Sequence, residues 1–127
     1  VNGLHITADL HDCTPAISDI FTHVRYLSGL VSLIVRTEGL SILEDAWHQF
    51  PDHEGQPGGI TGMVLLAESH VAIHTWPELR AVTLDVYVCN YTCDNASKAE
   101  GVVAGLLRHF NAAKVQVNRI QRGELAS

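Results

Sequence analysis

The apolar positions of this chain change period several times, and each change marks an element. Leu4–Leu10 alternates weakly and predicts a strand. Ile17, Ile20, Phe21, Val24, Leu27 and Val31 then follow at helical spacing. Thr14-Pro15 before them reads as an N-cap with proline at the first helical position, where a missing N–H costs nothing, so a helix is expected over about 15–36. Thr37-Glu38-Gly39 ends it, and Leu40–Phe50 is expected as a second strand because Glu44-Asp45 breaks any helical stripe. Pro51–Gly59, with two prolines and three glycines in nine residues, has nothing to bury and reads as a loop. Ile60–Ala67, Val71–Trp76 and Ala81–Cys89 are three more strands. The last sets Val82, Leu84, Val86 and Val88 against Thr83, Asp85, Tyr87 and Cys89, a core face and a polar face. Asp94 or Asn95 caps a second helix to about Phe110, with Ala99, Val102, Val103, Leu106, Leu107 and Phe110 inward, and Val115–Ile120 alternates as a final strand. This order implies an α+β fold: a two-layer α/β sandwich, an antiparallel sheet with two helices on one face. The other sheet face is left for a partner or a site.

Composition narrows the function classes. The 127 residues suit a single domain, 1–127, and 46 % hydrophobic against 17 % charged residues imply a packed core. Eight basic residues against fourteen acidic give a net charge of −6 with no basic cluster, which argues against nucleic acid and is compatible with a cationic small substrate. No apolar run approaches the ~18–20 residues of a membrane span, so no membrane association is expected. Val1-Asn2-Gly3-Leu4-His5 lacks the layout of a signal peptide. Cys13, Cys89 and Cys93 are an odd count without zinc-like spacing, so a reducing, cytoplasmic setting is expected.

The candidate chemistry is concentrated in Leu65-Leu66-Ala67-Glu68-Ser69-His70-Val71-Ala72-Ile73-His74-Thr75-Trp76-Pro77-Glu78. Two apolar runs end, one in an acid, a hydroxyl and an imidazole, the other in an imidazole, an indole and an acid. Taken singly, Ser69 and His70 would be a polar hairpin turn and His74 a hydrogen-bonded core imidazole. His70-x-x-x-His74 lacks the glutamate of a His-Glu-x-x-His zinc site and any obvious third ligand, so no metal is expected. The whole string closely resembles the self-cleavage site of the prokaryotic S-adenosylmethionine decarboxylases, Glu-Ser-His-x-x-x-His-Thr-Trp-Pro-Glu. In that family the chain breaks between the Glu and the Ser, and the Ser becomes a pyruvoyl group.

The resemblance implies cleavage at Glu68–Ser69 into 1–68 and 69–127, with Ser69 the precursor of a pyruvoyl cofactor. Hydroxyl attack on the preceding carbonyl turns the amide into an ester, and loss of the Ser α-proton releases it by β-elimination. His74 is typed as that base. Thr61, on the preceding strand where the family commonly has Ser, could face the Ser69 region in a hairpin and donate to the oxyanion. A pyruvoyl ketone is an electron sink for the pair left when CO2 departs, the task a pyridoxal ring performs elsewhere. Cys89 matches the family's proton donor. By itself it would be a buried apolar cysteine, but it shares the polar parity of Asp85 and Tyr87. Phe50, in His48-Gln49-Phe50, matches an aromatic that meets the adenine or sulfonium; Trp76 adds a second aromatic face; Glu78 matches an acceptor for ribose hydroxyls. Each has a plain alternative, core or interface for the aromatics and a solvated turn for Glu78.

The likeness spans most of the chain and is dense in 61–89. Leu4, His11, Leu79-Arg80-Ala81-Val82 and an apparent insertion at Asp52–Gly58 depart from the usual pattern, all in pocket walls rather than cleavage chemistry. The substrate implied is S-adenosylmethionine, decarboxylated to the aminopropyl donor for spermidine synthesis, in a homodimer with pockets near the subunit interface. A pyruvoyl-dependent arginine or ornithine decarboxylase is the alternative. It would keep Ser69, His74 and Cys89 but drop the adenine contacts. A non-catalytic partner subunit is disfavoured, since every catalytic residue type is present.

Overall fold

A computed structural model describes residues 2–91 and 93–123. Six strands, β1 (Gly3–Cys13), β2 (Ile42–Gln49), β3 (Ile60–Leu66), β4 (Ser69–Trp76), β5 (Ala81–Cys89) and β6 (Ala112–Arg122), form one sheet in the order β2-β3-β4-β5-β1-β6. Every pairing is antiparallel. Helices α1 (Asp19–Thr22), α2 (Val24–Thr37) and α3 (Ala96–Phe110) cover one face. The expected two-layer α+β sandwich is the fold found.

Strand alternation decides what the helices bury. Ile6, Ala8 and Leu10 of β1, Val71 and Ile73 of β4, and Val82, Leu84, Val86 and Val88 of β5 meet Leu27, Val31 and Val35 of α2 and Val102, Leu106 and Phe110 of α3. Thr75 sinks a hydroxyl among them. Its Oγ accepts the Ile60 N–H at 2.9 Å and donates to the Phe21 carbonyl at 2.8 Å, tying β4 to β3 and α1.

The helix expected over about 15–36 is two helices. His23 is extended (φ −113°, ψ 103°) and separates α1 from α2. The break is held from elsewhere in the chain: Gln49 Oε1 accepts the Val24 N–H at 3.0 Å, a cap supplied by β2. Thr14 is not an N-cap; its hydroxyl bonds the Asn111 carbonyl, and Asn111 Nδ2 donates back to the Thr14 carbonyl at 3.1 Å. A second difference bears on chemistry. Ser69 and His70 are not turn residues but the first two of β4, leaving only Ala67 and Glu68 between β3 and β4.

The uncovered face carries the other parity. It presents His5, Thr7 and Asp9 of β1, Thr83, Asp85 and Tyr87 of β5, His70, Ala72, His74 and Trp76 of β4, and Thr61, Met63 and Leu65 of β3. Among the described residues no helix packs there. Met63, Leu65 and Ile120 remain more than two-fifths exposed, an apolar component on a face otherwise built of imidazoles, hydroxyls and carboxylates.

Candidate active site

The residues singled out from the sequence fall at two ends of one hairpin. At the first, Phe50, Thr61, His74, Trp76 and Glu78 line a single cavity of about 610 Å³, within the range of small-molecule sites. Antiparallel register sets Thr61 directly opposite His74, and Thr61 Oγ1 lies 3.1 Å from His74 Nδ1. The His74 ring lies at a tilt 6.0 Å from that of Trp76, and Phe50 packs edge-on against His48 at 4.7 Å. The 3₁₀ turn Pro77–Leu79, closed by Arg80 in the left-handed region (φ 48°), places Glu78 at the rim.

The 51–59 loop forms the opposite wall. His53 and Gln56 exchange backbone hydrogen bonds at 2.9 Å, and Gln49 Nε2 donates to the carbonyls of Gly58 and Gly59 at 3.1 and 3.2 Å. A Cβ on Gly58 would come within 2.2 Å of the Phe50 carbonyl, and one on Gly59 within 2.1 Å of that of Thr75, so only glycine allows the loop to close this tightly. The apparent insertion beside the pocket is thus a built wall of it.

At the second end lies the candidate cleavage bond. Ser69 is nearly buried, and its Oγ accepts the Cys89 N–H at 3.1 Å. Cys89 is itself only 7 % exposed. Glu68, before the bond, is held at φ +70° in the left-handed region, which costs a residue with a Cβ roughly 1–2 kcal/mol. Local strain therefore sits on the peptide the sequence marks for cleavage.

The two ends do not meet within one chain. Ser69 and His74 are five residues apart along β4, about 16 Å at strand rise and on opposite parity. Thr61, expected to face the Ser69 region, faces His74 instead, because the tight hairpin pairs Ser69 with Leu66.

Between the ends the uncovered face holds a cluster the sequence reading missed. His5 and His70 flank Tyr87 on either side of the β1-β5-β4 ladder, with ring centroids 6.2 and 5.6 Å from it. Arg122 of β6 lies over the same ring at 5.5 Å and donates to His5 Nδ1 at 3.4 Å; His5 Nε2 lies 3.0 Å from Asp85. Arginine only donates, so these two bonds together put the His5 proton on Nε2, facing the carboxylate. Burial pushes the His70 imidazole below its ordinary range, and His5 adds to the effect. The signal was present in the alternation His5, Thr7, Asp9, but only the β1–β5 register brings it against Tyr87. Among the described residues no His, Cys, Asp and Glu side chains gather closely enough to hold a metal ion.

Known proteins align with this arrangement along nearly the whole chain. The family model described as S-adenosylmethionine decarboxylase matches residues 4–123. The S-adenosylmethionine decarboxylase proenzyme of Persephonella marina is 44 % identical over 121 residues, 95 % of this chain and 82 % of the relative. That of Aquifex aeolicus is 36 % identical over 121 residues, 95 % and 81 % of the two. The crystal structure of the adenosylmethionine decarboxylase from Aquifex aeolicus superposes with a TM-score of 0.80 at 34 % identity, covering 98 % of this chain and 92 % of that one.

Proposed function

The chain belongs to the S-adenosylmethionine decarboxylase family, and on that premise we propose that it cleaves itself between Glu68 and Ser69 and then decarboxylates S-adenosylmethionine. A pyruvoyl group made from Ser69 would supply the electron sink for loss of CO2. The residues present fit such a group: a nearly buried Ser69 hydroxyl, a strained residue before it, and Cys89 against it.

The observation that carries the reading is the Thr61–His74 contact, because it assigns complementary roles. With the proton on Nδ1, His74 donates to Thr61 Oγ1. The Thr61 O–H is then free to point at a developing oxyanion, and the His74 Nε2 lone pair is free to take an α-proton. With the opposite tautomer both functions are lost at once. The pair is therefore suited to both halves of the cleavage chemistry, the donor for ester formation and the base for β-elimination.

Because His74 lies about 16 Å from Ser69 in its own chain, we infer that a second copy supplies it. Two copies apposed through their uncovered sheet faces would bury Met63, Leu65 and Ile120 and form a closed, two-fold interface. Each site would then combine Ser69 and Cys89 of one protomer with Thr61, His74, Phe50, Trp76 and Glu78 of its partner. Phe50 and Trp76 would offer ring faces to the sulfonium cation, worth about 0.5–2 kcal/mol, and Glu78 would accept from the ribose. An arginine or ornithine substrate would leave this aromatic pocket without a purpose. No helix among the described residues is long and apolar enough to cross a membrane, and three free cysteines suit the reducing cytoplasm.

Co-expression of Ser69→Ala with His74→Ala tests the assignment. Neither variant alone should cleave. In the mixture the His74→Ala chain should be cut at Glu68–Ser69, served by His74 of the Ser69→Ala chain. Absence of cut chain from a mixture that forms heterodimers would remove the shared-site reading.

A further inference from the structure

The 51–59 wall of the cavity is stiff at its tip and tied at its base. At the tip, Glu54 and Gly55 sit between the paired His53 and Gln56 at φ 51° and 77°. That is the paired left-handed conformation two-residue hairpin turns favour. At the base, the Phe50 N–H donates to the Gly59 carbonyl at 2.9 Å. Gln49 Nε2 donates to the Gly58 and Gly59 carbonyls at 3.1 and 3.2 Å, and Oε1 of the same amide accepts the Val24 N–H at 3.0 Å.

One side chain thus joins the start of α2 to the wall of the cavity. Val24 is the first residue of α2, so its N–H finds no partner inside the helix. The break at His23 is what presents it. The carbonyl before the break is used in the same way: Phe21 O accepts from Thr75 Oγ, which in turn accepts the Ile60 N–H, one residue beyond Gly59. These partners also fix the amide's orientation, with an acceptor needed at the N–H and a donor at the two carbonyls. Gln49 is half-buried and stands behind the wall, not among the side chains that line the cavity.

We propose that Gln49 is a positioning residue for the substrate pocket, anchoring the base of the 51–59 wall to the start of α2 and so holding Phe50 across from Trp76 and Glu78. It rests on the decarboxylase reading only for which ligand the wall meets. Without the two donated bonds the base loosens, and Phe50, bonded to Gly59, loosens with it. Thr61 and His74 are held by the β3–β4 ladder instead. Substrate binding therefore depends on Gln49 more than the chemical step does.

Two substitutions separate the halves of this contact. Gln49→Glu keeps an acceptor for the Val24 N–H, and its charge suits a helix N-terminus, but an ionised carboxylate cannot donate to the carbonyls. Gln49→Met keeps the length and loses both halves. Amide hydrogen exchange is read by NMR at neutral pH on uncleaved Ser69→Ala protein, so that it does not depend on cofactor formation. Protection of the Phe50 amide should fall about tenfold in both variants, the scale of one or two lost hydrogen bonds. Protection of Val24, and the melting temperature, should fall only in Gln49→Met. In the processed enzyme KM for S-adenosylmethionine should rise about tenfold in both variants, with kcat nearly held. A purely structural role would tie the KM rise to lost stability and spare Gln49→Glu. That pattern, or parent-like protection of Phe50 in Gln49→Glu, would overturn the proposal. If the parent released no CO2 from S-adenosylmethionine, the decarboxylase reading would fail instead, while the exchange comparison would still judge the anchor.

Discussion

Ser69 and His74 share strand β4 but stand about 16 Å apart on opposite parity, while Thr61 Oγ1 reaches His74 Nδ1 at 3.1 Å. Thr61 and His74 therefore form one unit in space, and Ser69 with Cys89 another. Substitutions should sort by unit. Wild-type protein should yield fragments 1–68 and 69–127, the second with a blocked N-terminus. Thr61→Val should slow cleavage by up to ~3–4 kcal/mol, since it removes the hydroxyl proposed both as oxyanion donor and as the acceptor that fixes the His74 tautomer. Thr61→Ser should retain most of the rate. A Thr61→Val protein that processes as fast as wild type on denaturing gels would dismiss the donor role.

Cleavage and turnover should separate at Cys89 and Glu78. Cys89→Ala keeps the backbone N–H that bonds Ser69 Oγ, so fragments should still form while CO2 release is lost or diverted to reactions that consume the pyruvoyl group. Glu78→Gln should leave cleavage intact and weaken S-adenosylmethionine binding by ~1–3 kcal/mol, read as a raised KM. Wild-type decarboxylation by processed Cys89→Ala would show that the product carbon draws its proton elsewhere.

The left-handed backbone at Glu68 should couple stability to the proposed processing. Glu68→Gly should raise the melting temperature of an uncleavable Ser69→Ala background by the equivalent of about 1 kcal/mol, because glycine adopts φ +70° without steric cost. In otherwise wild-type protein it should slow cleavage, since strain in the reactant is relieved. Faster cleavage in Glu68→Gly would mean that the turn's rigidity, rather than its strain, matters.

His70 should make the fold sensitive to acid. Burial lowers its folded-state basicity below the ordinary value of 6.5, so as pH falls through that value the unfolded chain takes up the proton first. Stability is full above it and declines below. In the Ser69→Ala background, moving from about pH 7.5 to about pH 5.5 should lower the melting temperature more with His70 than with His70→Gln. Equal shifts in the two proteins would assign the acid sensitivity to other groups.

Much of this molecule was legible in the order of its residues. The alternation Val82, Leu84, Val86, Val88 fixes a buried strand face because side chains in a strand point to opposite sides in turn. The heptad-like run through Leu27 and Val31 fixes a helix for the same kind of reason. The Glu68–Glu78 string identified the family, since its chemistry is written in adjacent positions. Local periodicity did not foresee the break at His23, because the Gln49 side chain that caps α2 lies 25 residues away in sequence. Nor did it foresee that Thr61 meets His74 rather than Ser69. Register belongs to the pair of strands, and a two-residue turn set it. The same cause placed Tyr87 between His5 and His70 and set its hydroxyl in the space left by Gly3. Residue types and their spacing determined the fold class and the chemistry available; the antiparallel ladders, which join positions some 80 residues apart, decided which groups touch and which stand apart within one chain.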